Sequence, residues 1–180
     1  MDRPRHARRL CHLFKMTEGR CDGEDTRQYR MTKRTCGTCS LCCKLPYVRE
    51  LNKSIDTWCK HASPGRGGCL IYPDRPASCR SFICGWLSGA EIGDEWFPAR
   101  CKMFITSRPS EGPAKKGILV TVDPAYPDAW RRNPYHAQLL AWAQHMFVEI
   151  RVGRRFIGLN ADGTERQVTR SQAWIEGRDE

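Results

Sequence analysis

Hydrophobic residues follow regular patterns only in the second half of the chain. Residues 101–106 and 117–122 are short apolar runs typical of strands, and a Pro-, Gly- and Lys-rich loop separates them. This arrangement predicts an antiparallel hairpin. Residues 156–159 and 166–168 predict a second hairpin, because Asp162-Gly163 between them is a common tight-turn pair.

A helix is predicted between the two hairpins. Asn133-Pro134 has the residue types that favour a helix start. Apolar residues then recur at helical spacing as far as Ile150, which predicts a helix over residues 134–150. These positions are Leu139, Leu140, Trp142, Ala143, Met146, Phe147 and Ile150. One amphipathic helix with two hairpins indicates an α+β fold class.

The first half of the chain lacks such periodicity and divides into two parts. Residues 1–35 carry ten Lys and Arg against five Asp and Glu, which predicts a basic, mobile N-terminal tail. Residues 36–100 form a cysteine-rich, loop-rich region, with a strand-like run at 69–72 and a helical turn at 76–82. We assign residues 101–180 to the same domain as this region.

Composition and charge narrow the class of protein. The chain has 180 residues, a net charge of +10 and a mean hydropathy of −0.61. It has no run of eighteen apolar residues and no apolar segment after Arg8-Arg9, so neither a membrane span nor an export signal is predicted. We therefore expect a cytoplasmic protein. Because the cytosol keeps thiols reduced, its eleven cysteines indicate metal ligation rather than a disulfide framework.

Four cysteines, Cys36, Cys39, Cys42 and Cys43, fall within eight residues. Thiolates are soft ligands that select zinc, copper(I) or iron–sulfur clusters. The C-x2-C-x2-C spacing is the opening of a ferredoxin-type [4Fe–4S] run. The side chains of adjacent residues diverge, so Cys42 and Cys43 would rarely share one mononuclear site. A polynuclear centre or two neighbouring sites would accommodate both.

A longer pattern follows this cluster. After a lone Cys59, the chain reads Cys-Leu-Ile-Tyr-Pro-Asp-Arg-Pro-Ala-Ser-Cys-Arg-Ser-Phe from Cys69, and Cys84 follows. Over residues 36–84 the sequence resembles the CxxCxxCC family of zinc- or iron-chelating proteins. The resemblance implies eight metal-ligating thiols, with Cys101 as a candidate ninth. They are Cys36, Cys39, Cys42, Cys43, Cys59, Cys69, Cys79 and Cys84.

Residues around these cysteines have two interpretations each. Trp58, Phe82 and Trp86 could form a dry shell around a cluster or belong to an ordinary core. Arg75 and Arg80 flank Cys79. They could donate hydrogen bonds to thiolate sulfurs, or Arg75 could support the turn at Asp74. Cys84 lies five residues after Cys79, about 140° away on a helix, so a turn between them is needed to bring both sulfurs inward.

The number and kind of metal stay open. Eight thiols could hold two four-thiolate zinc sites, or one [4Fe–4S] cluster with four spare thiols. We expect a metal-binding protein, with iron–sulfur favoured over zinc, that serves a protein or redox partner or an unrecognised enzymatic reaction. One alternative is a structural zinc module presenting a basic surface to a nucleic acid or a protein. Another is a metal-handling protein with labile thiolates. Aromatic residues do not interleave with the basic ones, which favours a solvated surface over a nucleic-acid platform.

Overall fold

The computed structural model of the chain describes residues 34–64, 68–89, 92–108, 117–171 and 175. Apart from Arg34 and Thr35, the predicted N-terminal tail lies outside these residues, as does the loop of the first hairpin. Over the described part the fold is α+β, as predicted, with one mixed sheet and short helices.

Five strands form the sheet in chain order. They are β1 (Met103–Arg108), β2 (Gly117–Val122), β3 (Phe147–Val152), β4 (Arg155–Leu159) and β5 (Glu165–Val168). The β1–β2 and β4–β5 pairs are antiparallel, which confirms both predicted hairpins. Between them, β2 and β3 run parallel and β3 and β4 antiparallel.

Four short α-helices accompany the strands in the described part of the chain. They are α1 (Ala77–Ser81), α2 (Gly85–Ser88), α3 (Pro98–Cys101) and α4 (Tyr135–Ala143). The predicted helical turn after Pro76 is confirmed as α1. The predicted strand-like run at 69–72 is wrong, because only Cys69 makes a bridge, to Ala62, and turns follow it.

The predicted helix over residues 134–150 is also wrong in its second half. The helix α4 ends at Ala143, and residues 147–152 form β3. Val148, Ile150 and Val152 are β-branched and alternate along the chain, so this segment favours a strand. A half-exposed strand alternates apolar and polar residues, but β3 is covered on both faces of the sheet and five of its six residues are buried. The usual alternation is therefore weak in the sequence. The helix α4 lies in the crossover that the parallel β2–β3 pair requires.

The two faces of the sheet pack against different parts of the chain. One face carries the main apolar core, in which Trp96, Trp130 and Leu139 are almost completely buried. On the other face, Phe104 of β1 packs against Leu41 and Leu45 of the cysteine-rich segment. The start of the cysteine-rich region, around Leu41 and Leu45, thus lies against the second face, while Trp86, Ile92 and Trp96 from its end belong to the main core.

Ion pairs hold that segment to the sheet. The Arg151 guanidinium donates to the Asp56 carboxylate at 2.8 Å and to the Leu45 carbonyl at 3.0 Å. The Lys44 ammonium lies 2.7 and 2.8 Å from the two carboxylate oxygens of Asp123, which follows β2. Both contacts are largely buried, so they fix the position of the chain on either side of Leu45.

In the described part of the chain the longest helix has nine residues, and no helix is long and apolar enough to cross a membrane.

Candidate metal centre

The cysteine cluster is shaped by two consecutive turns. The Cys39 N–H donates to the Cys36 carbonyl at 2.8 Å, and Gly37 has a φ of +49° in the left-handed region that favours glycine. A 3₁₀ turn, Leu41–Cys43, follows. Its Leu41 side chain is buried against Phe104, while the four cysteines of the cluster stay half-buried. Packing of Leu41 therefore fixes the cluster to the sheet.

Backbone hydrogen bonds bring two distant cysteines to the end of this cluster. The Cys59 N–H donates to the Cys43 carbonyl at 2.9 Å. Ala62 then forms a β-bridge with Cys69, and the Leu70 N–H donates to the His61 carbonyl at 2.9 Å. The backbone N–H of His61 also points to the Cys59 sulfur at 3.5 Å.

Cys79 and Cys84 are separated by a break between two helices. Cys79 is in α1, which ends at Ser81, and Phe82 continues in an extended conformation. Cys84 precedes the first residue of α2. The predicted turn between the two cysteines is therefore wrong in form: the helix does end between them, but residues 82–84 are extended. Phe82 and Cys84 pack, together with Cys39, against the Leu41–Leu45–Phe104 cluster.

All eight predicted ligands line two cavities that share walls. The larger has a volume of about 280 Å³ and the smaller about 140 Å³. Cys84 lines only the smaller one, and Cys43, Cys59 and Cys69 only the larger. The remaining four, Cys36, Cys39, Cys42 and Cys79, line both. Folding thus gathers eight thiols from a span of 49 residues into one place.

Cys101, the candidate ninth ligand, lines neither cavity. Its side chain is fully buried, and its S–H donates to the Met103 carbonyl at 3.0 Å. Burial raises the pKa of this thiol to about 12. In this environment Cys101 is a neutral packing residue that lies near Cys39 and Cys84 but lines neither cavity.

Burial is the main influence on the pKa of several thiols. It raises the pKa of Cys39, Cys79 and Cys84, because a desolvated thiolate is unfavourable. The Cys42 S–H donates to the Cys43 sulfur, which raises the pKa of Cys42 and lowers that of Cys43. Lys53 and Arg75 also lower the pKa of Cys43.

The lysine at position 53 was not singled out from the sequence. It is buried, and its ammonium donates to the carbonyls of Lys44 at 2.7 Å and Ser54 at 2.9 Å, and also to Pro46. Burial lowers its pKa to about 8, while the nearby Cys59 and Asp56 oppose this shift. Nothing in the sequence around Lys53 distinguishes it from an exposed lysine, so its burial could not be predicted.

Arg75 and Arg80 support the turn before α1. The Arg75 Nε donates to the Tyr72 carbonyl at 2.9 Å, and its guanidinium lies 3.5 Å from the centre of the Tyr72 ring. Arg80 donates to the Arg75 carbonyl at 2.6 Å. Arg75 also lines both cavities. The interpretation that Arg75 supports the turn is therefore confirmed, with a backbone carbonyl as the acceptor.

The aromatic residues near the thiols take different positions. Phe82 and Trp86 line the smaller cavity, whereas Trp58 is 42% exposed. The indole Nε1 of Trp86 is buried and has no hydrogen-bond acceptor among the described residues. A buried N–H without an acceptor is rare and destabilising. A thiolate or sulfide of a bound metal group would supply one.

The residues fit a thiolate-bound metal in donor type, number and surroundings. Within residues 34–64, 68–89, 92–108, 117–171 and 175, no three His, Cys, Asp or Glu side chains are arranged to hold a metal ion. The sulfurs therefore lie around the same space without converging. Metal binding requires deprotonated thiols, so the Cys42–Cys43 hydrogen bond would have to break.

Comparison of the chain with protein-family models, curated proteins and solved structures gives no match.

Proposed function

We propose that this chain is a metal-binding protein that holds an iron–sulfur cluster, or zinc, through clustered cysteine thiolates. The observation that carries the proposal is the gathering of eight thiols around two cavities with shared walls. The sequence resemblance to the CxxCxxCC family points to the same eight residues.

The surroundings of the thiols favour iron–sulfur over zinc. The smaller cavity is lined by Phe82, Trp86, Phe97 and Phe104, which would keep water from a cluster. The buried N–H of Trp86 offers a donor of the kind that tunes cluster sulfurs. A bound iron–sulfur cluster would supply one-electron redox chemistry. The protein's own residues would anchor it, exclude water and donate hydrogen bonds to it.

Metal analysis of matched cysteine variants tests the proposal. The protein is purified anaerobically, and iron, sulfide and zinc are measured for the wild type, Cys39→Ser and Cys101→Ala. We expect bound metal in the wild type and in Cys101→Ala, and at least a several-fold loss in Cys39→Ser. Equal metal content in all three proteins would show that the thiol cluster is not the binding site.

A second candidate is a structural zinc module with a basic binding surface. Eight thiols are enough for two closed four-thiolate zinc sites. Among the described residues beyond the cysteine-rich region, five arginines are exposed: Arg131, Arg132, Arg154, Arg155 and Arg166. A colourless protein with about two zinc ions, together with salt-dependent binding to an oligonucleotide, would favour this candidate. Iron and sulfide in the isolated protein would exclude it.

A further inference from the structure

A further cavity, which we call the sheet cavity, lies on the second face of the sheet. Its volume is about 280 Å³, close to the lower limit of about 300 Å³ for small-molecule pockets. Pro46, Tyr47 and Phe82 line both the sheet cavity and the larger thiol cavity, so the two spaces are neighbours. None of the eight candidate ligands lines the sheet cavity. A ligand bound there can therefore be tested separately from the metal.

The register of the sheet sets the floor of this cavity. Thr121 of β2 pairs with Phe104 of β1 on one side and with Arg151 of β3 on the other. Arg151 pairs in turn with Phe156 of β4. Side chains at paired positions point to the same face of a sheet, and all four of these line the cavity. The floor is thus a row with a hydroxyl and a guanidinium at its centre and a phenyl ring at each end.

The Arg151 guanidinium is buried but only partly used. Its side chain is 6% exposed, and the Asp56 carboxylate and the Leu45 carbonyl both accept from the same nitrogen, Nη2. Its Nε and Nη1 have no acceptor in the part of the chain that the structure describes. In that part, the Trp86 Nε1 is the only fully enclosed side-chain donor without a partner. The two Arg151 nitrogens therefore reach accessible space, and Arg151 lines the sheet cavity.

Thr121 is buried beside this guanidinium. It is 4% exposed, and its hydroxyl has no hydrogen-bond partner within the described ranges. Buried polar groups are normally hydrogen-bonded. Because Thr121 and Arg151 are direct neighbours across two strands, their unused donors lie side by side. Adjacent donors of which one is charged suit a carboxylate, since hydrogen bonds from a guanidinium to a carboxylate are strong.

The rest of the lining is mostly apolar. It includes Ile55 and Leu119 in addition to the two phenyl rings of the floor. Aromatic rings pack well against other flat rings, in stacked or edge-to-face arrangements. A mostly apolar wall with a few convergent polar groups is the usual composition of a small-molecule site.

We propose that the sheet cavity binds a small organic acid with a flat apolar body. The carboxylate accepts hydrogen bonds from the unused Arg151 nitrogens and from the Thr121 hydroxyl, and the body packs between Phe104 and Phe156. Asp56 shares the charge of Arg151, so the affinity is modest. The shared wall of Pro46, Tyr47 and Phe82 places the bound acid next to the candidate metal centre.

An NMR titration of the full chain with benzoate tests this proposal, with benzyl alcohol as the uncharged comparison. We expect saturable shifts of the methyl groups of Ile55 and Leu119, with a Kd for benzoate of about 1 mM or below. Benzyl alcohol should bind at least several-fold more weakly, because it lacks the carboxylate. No saturable benzoate shift at about ten times that concentration, or equal binding of both compounds, would overturn the proposal even if no variant folds.

A pair of variants on neighbouring strands locates the site. Thr121→Val keeps the shape of the side chain and removes the hydroxyl, so we expect benzoate to bind about 3–10-fold more weakly. Ser107 of β1 points to the opposite face from Thr106, which lines the cavity, so Ser107→Ala is the control and should bind like the wild type. Equal benzoate affinity in Thr121→Val and the wild type would show that the acid does not bind at this row. Metal content, measured separately, tests the proposed function.

Discussion

The indole of Trp86 shows how a single buried donor bears on the metal centre. Its Nε1 is buried without an acceptor among the described residues, and its side chain lines the smaller cavity. Five candidate ligands line the same cavity: Cys36, Cys39, Cys42, Cys79 and Cys84. An unsatisfied buried donor costs about 1–3 kcal/mol. This cost applies to the metal-free protein and disappears if a metal-bound sulfur accepts the hydrogen bond.

Trp86→Phe should therefore affect the two states differently. In both states the smaller ring loses packing contacts. In the metal-free protein this loss is partly offset, because the variant no longer buries an unsatisfied N–H. In the metal-bound protein the variant loses a hydrogen bond in addition to the packing contacts. We expect the free energy of unfolding to fall by about 1 kcal/mol more in the metal-bound state. Urea titrations of both proteins in both states measure the difference. Equal losses would show that Trp86 does not donate to the centre.

At the scale of elements, the pairing of β2 with β3 depends on a close approach at Gly117. A Cβ atom at this position would lie 2.6 Å from the Phe147 carbonyl oxygen, a backbone atom that cannot turn aside. At Gly158 in β4, the nearest neighbour would be a side-chain atom of Arg166 at 3.5 Å, an ordinary van der Waals contact.

Gly117→Ala should destabilise the protein by about 1–3 kcal/mol, because the added methyl forces the two strands apart. Gly158→Ala is the matched control and should change the free energy of unfolding much less. Chemical denaturation of both variants checks this. Similar effects at the two positions would mean that the strands have room at Gly117.

The strand β3 also carries a buried ion group. The Glu149 side chain has no exposed surface, and its carboxylate pairs with Arg108 of β1 at 2.5 Å and with Arg170 at 3.0 Å. This group connects the edge of the sheet to the chain that follows β5.

Glu149→Gln should cost about 3–5 kcal/mol, since it leaves two nearly buried guanidinium groups without their carboxylate. Glu165→Gln, which removes a partly exposed partner of Arg131, should cost about 0–1 kcal/mol. Thermal or urea unfolding compares the two variants. A small effect of Glu149→Gln would indicate that water reaches the arginines.

Both hairpins of the sheet could be predicted from the sequence. The strand β3, which joins them into one sheet, could not. Both hairpins had apolar runs with turn residues between them. The sequence places residues 147–150 in the helix, because Met146, Phe147 and Ile150 fit a helical period as well as a strand. Only the pairing of β3 with two neighbours, and its burial on both faces, decides the strand.

The eight candidate cysteines of the site could be named from the sequence, but their arrangement in space could not. The resemblance to the CxxCxxCC family implied the eight thiols, and the divergence of adjacent side chains predicted that Cys42 and Cys43 would rarely share one mononuclear site. Which thiols lie together depends on contacts between distant segments, such as the hydrogen bond from Cys59 to Cys43 and those from Arg34 to α2. The burial of Lys53 and the missing acceptor of Trp86 likewise arise only in the folded chain.

At the scale of the whole molecule, the main core and the thiol cluster are built from different residues. The large apolar cluster includes Cys101 but none of the eight candidate ligands. The cysteine-rich segment contacts the second face of the sheet mainly through Leu41, Leu45 and a few ion pairs. The sheet should therefore not require metal.

Removal of metal should separate these two parts. With a chelator and a reductant, we expect the strand signal in far-ultraviolet circular dichroism and a cooperative unfolding transition to persist. Proteolysis should accelerate within residues 34–89, because a metal-bound segment loses its constraints. Mass spectrometry of the fragments locates the cuts, and restored metal should suppress them. Loss of the unfolding transition on chelation would show that the core depends on the metal.

The most direct test of metal binding by the thiol cluster is the absorption spectrum and metal content of the anaerobically purified protein. We predict iron and sulfide in about equal amounts, near four of each for a [4Fe–4S] cluster, with broad visible absorption from thiolate-bound iron. A colourless protein that contains zinc would still support metal binding, but the bound metal would be zinc instead of an iron–sulfur cluster. A protein with neither iron nor zinc, and with no capacity to take up either, would contradict the assignment of the eight thiols as ligands.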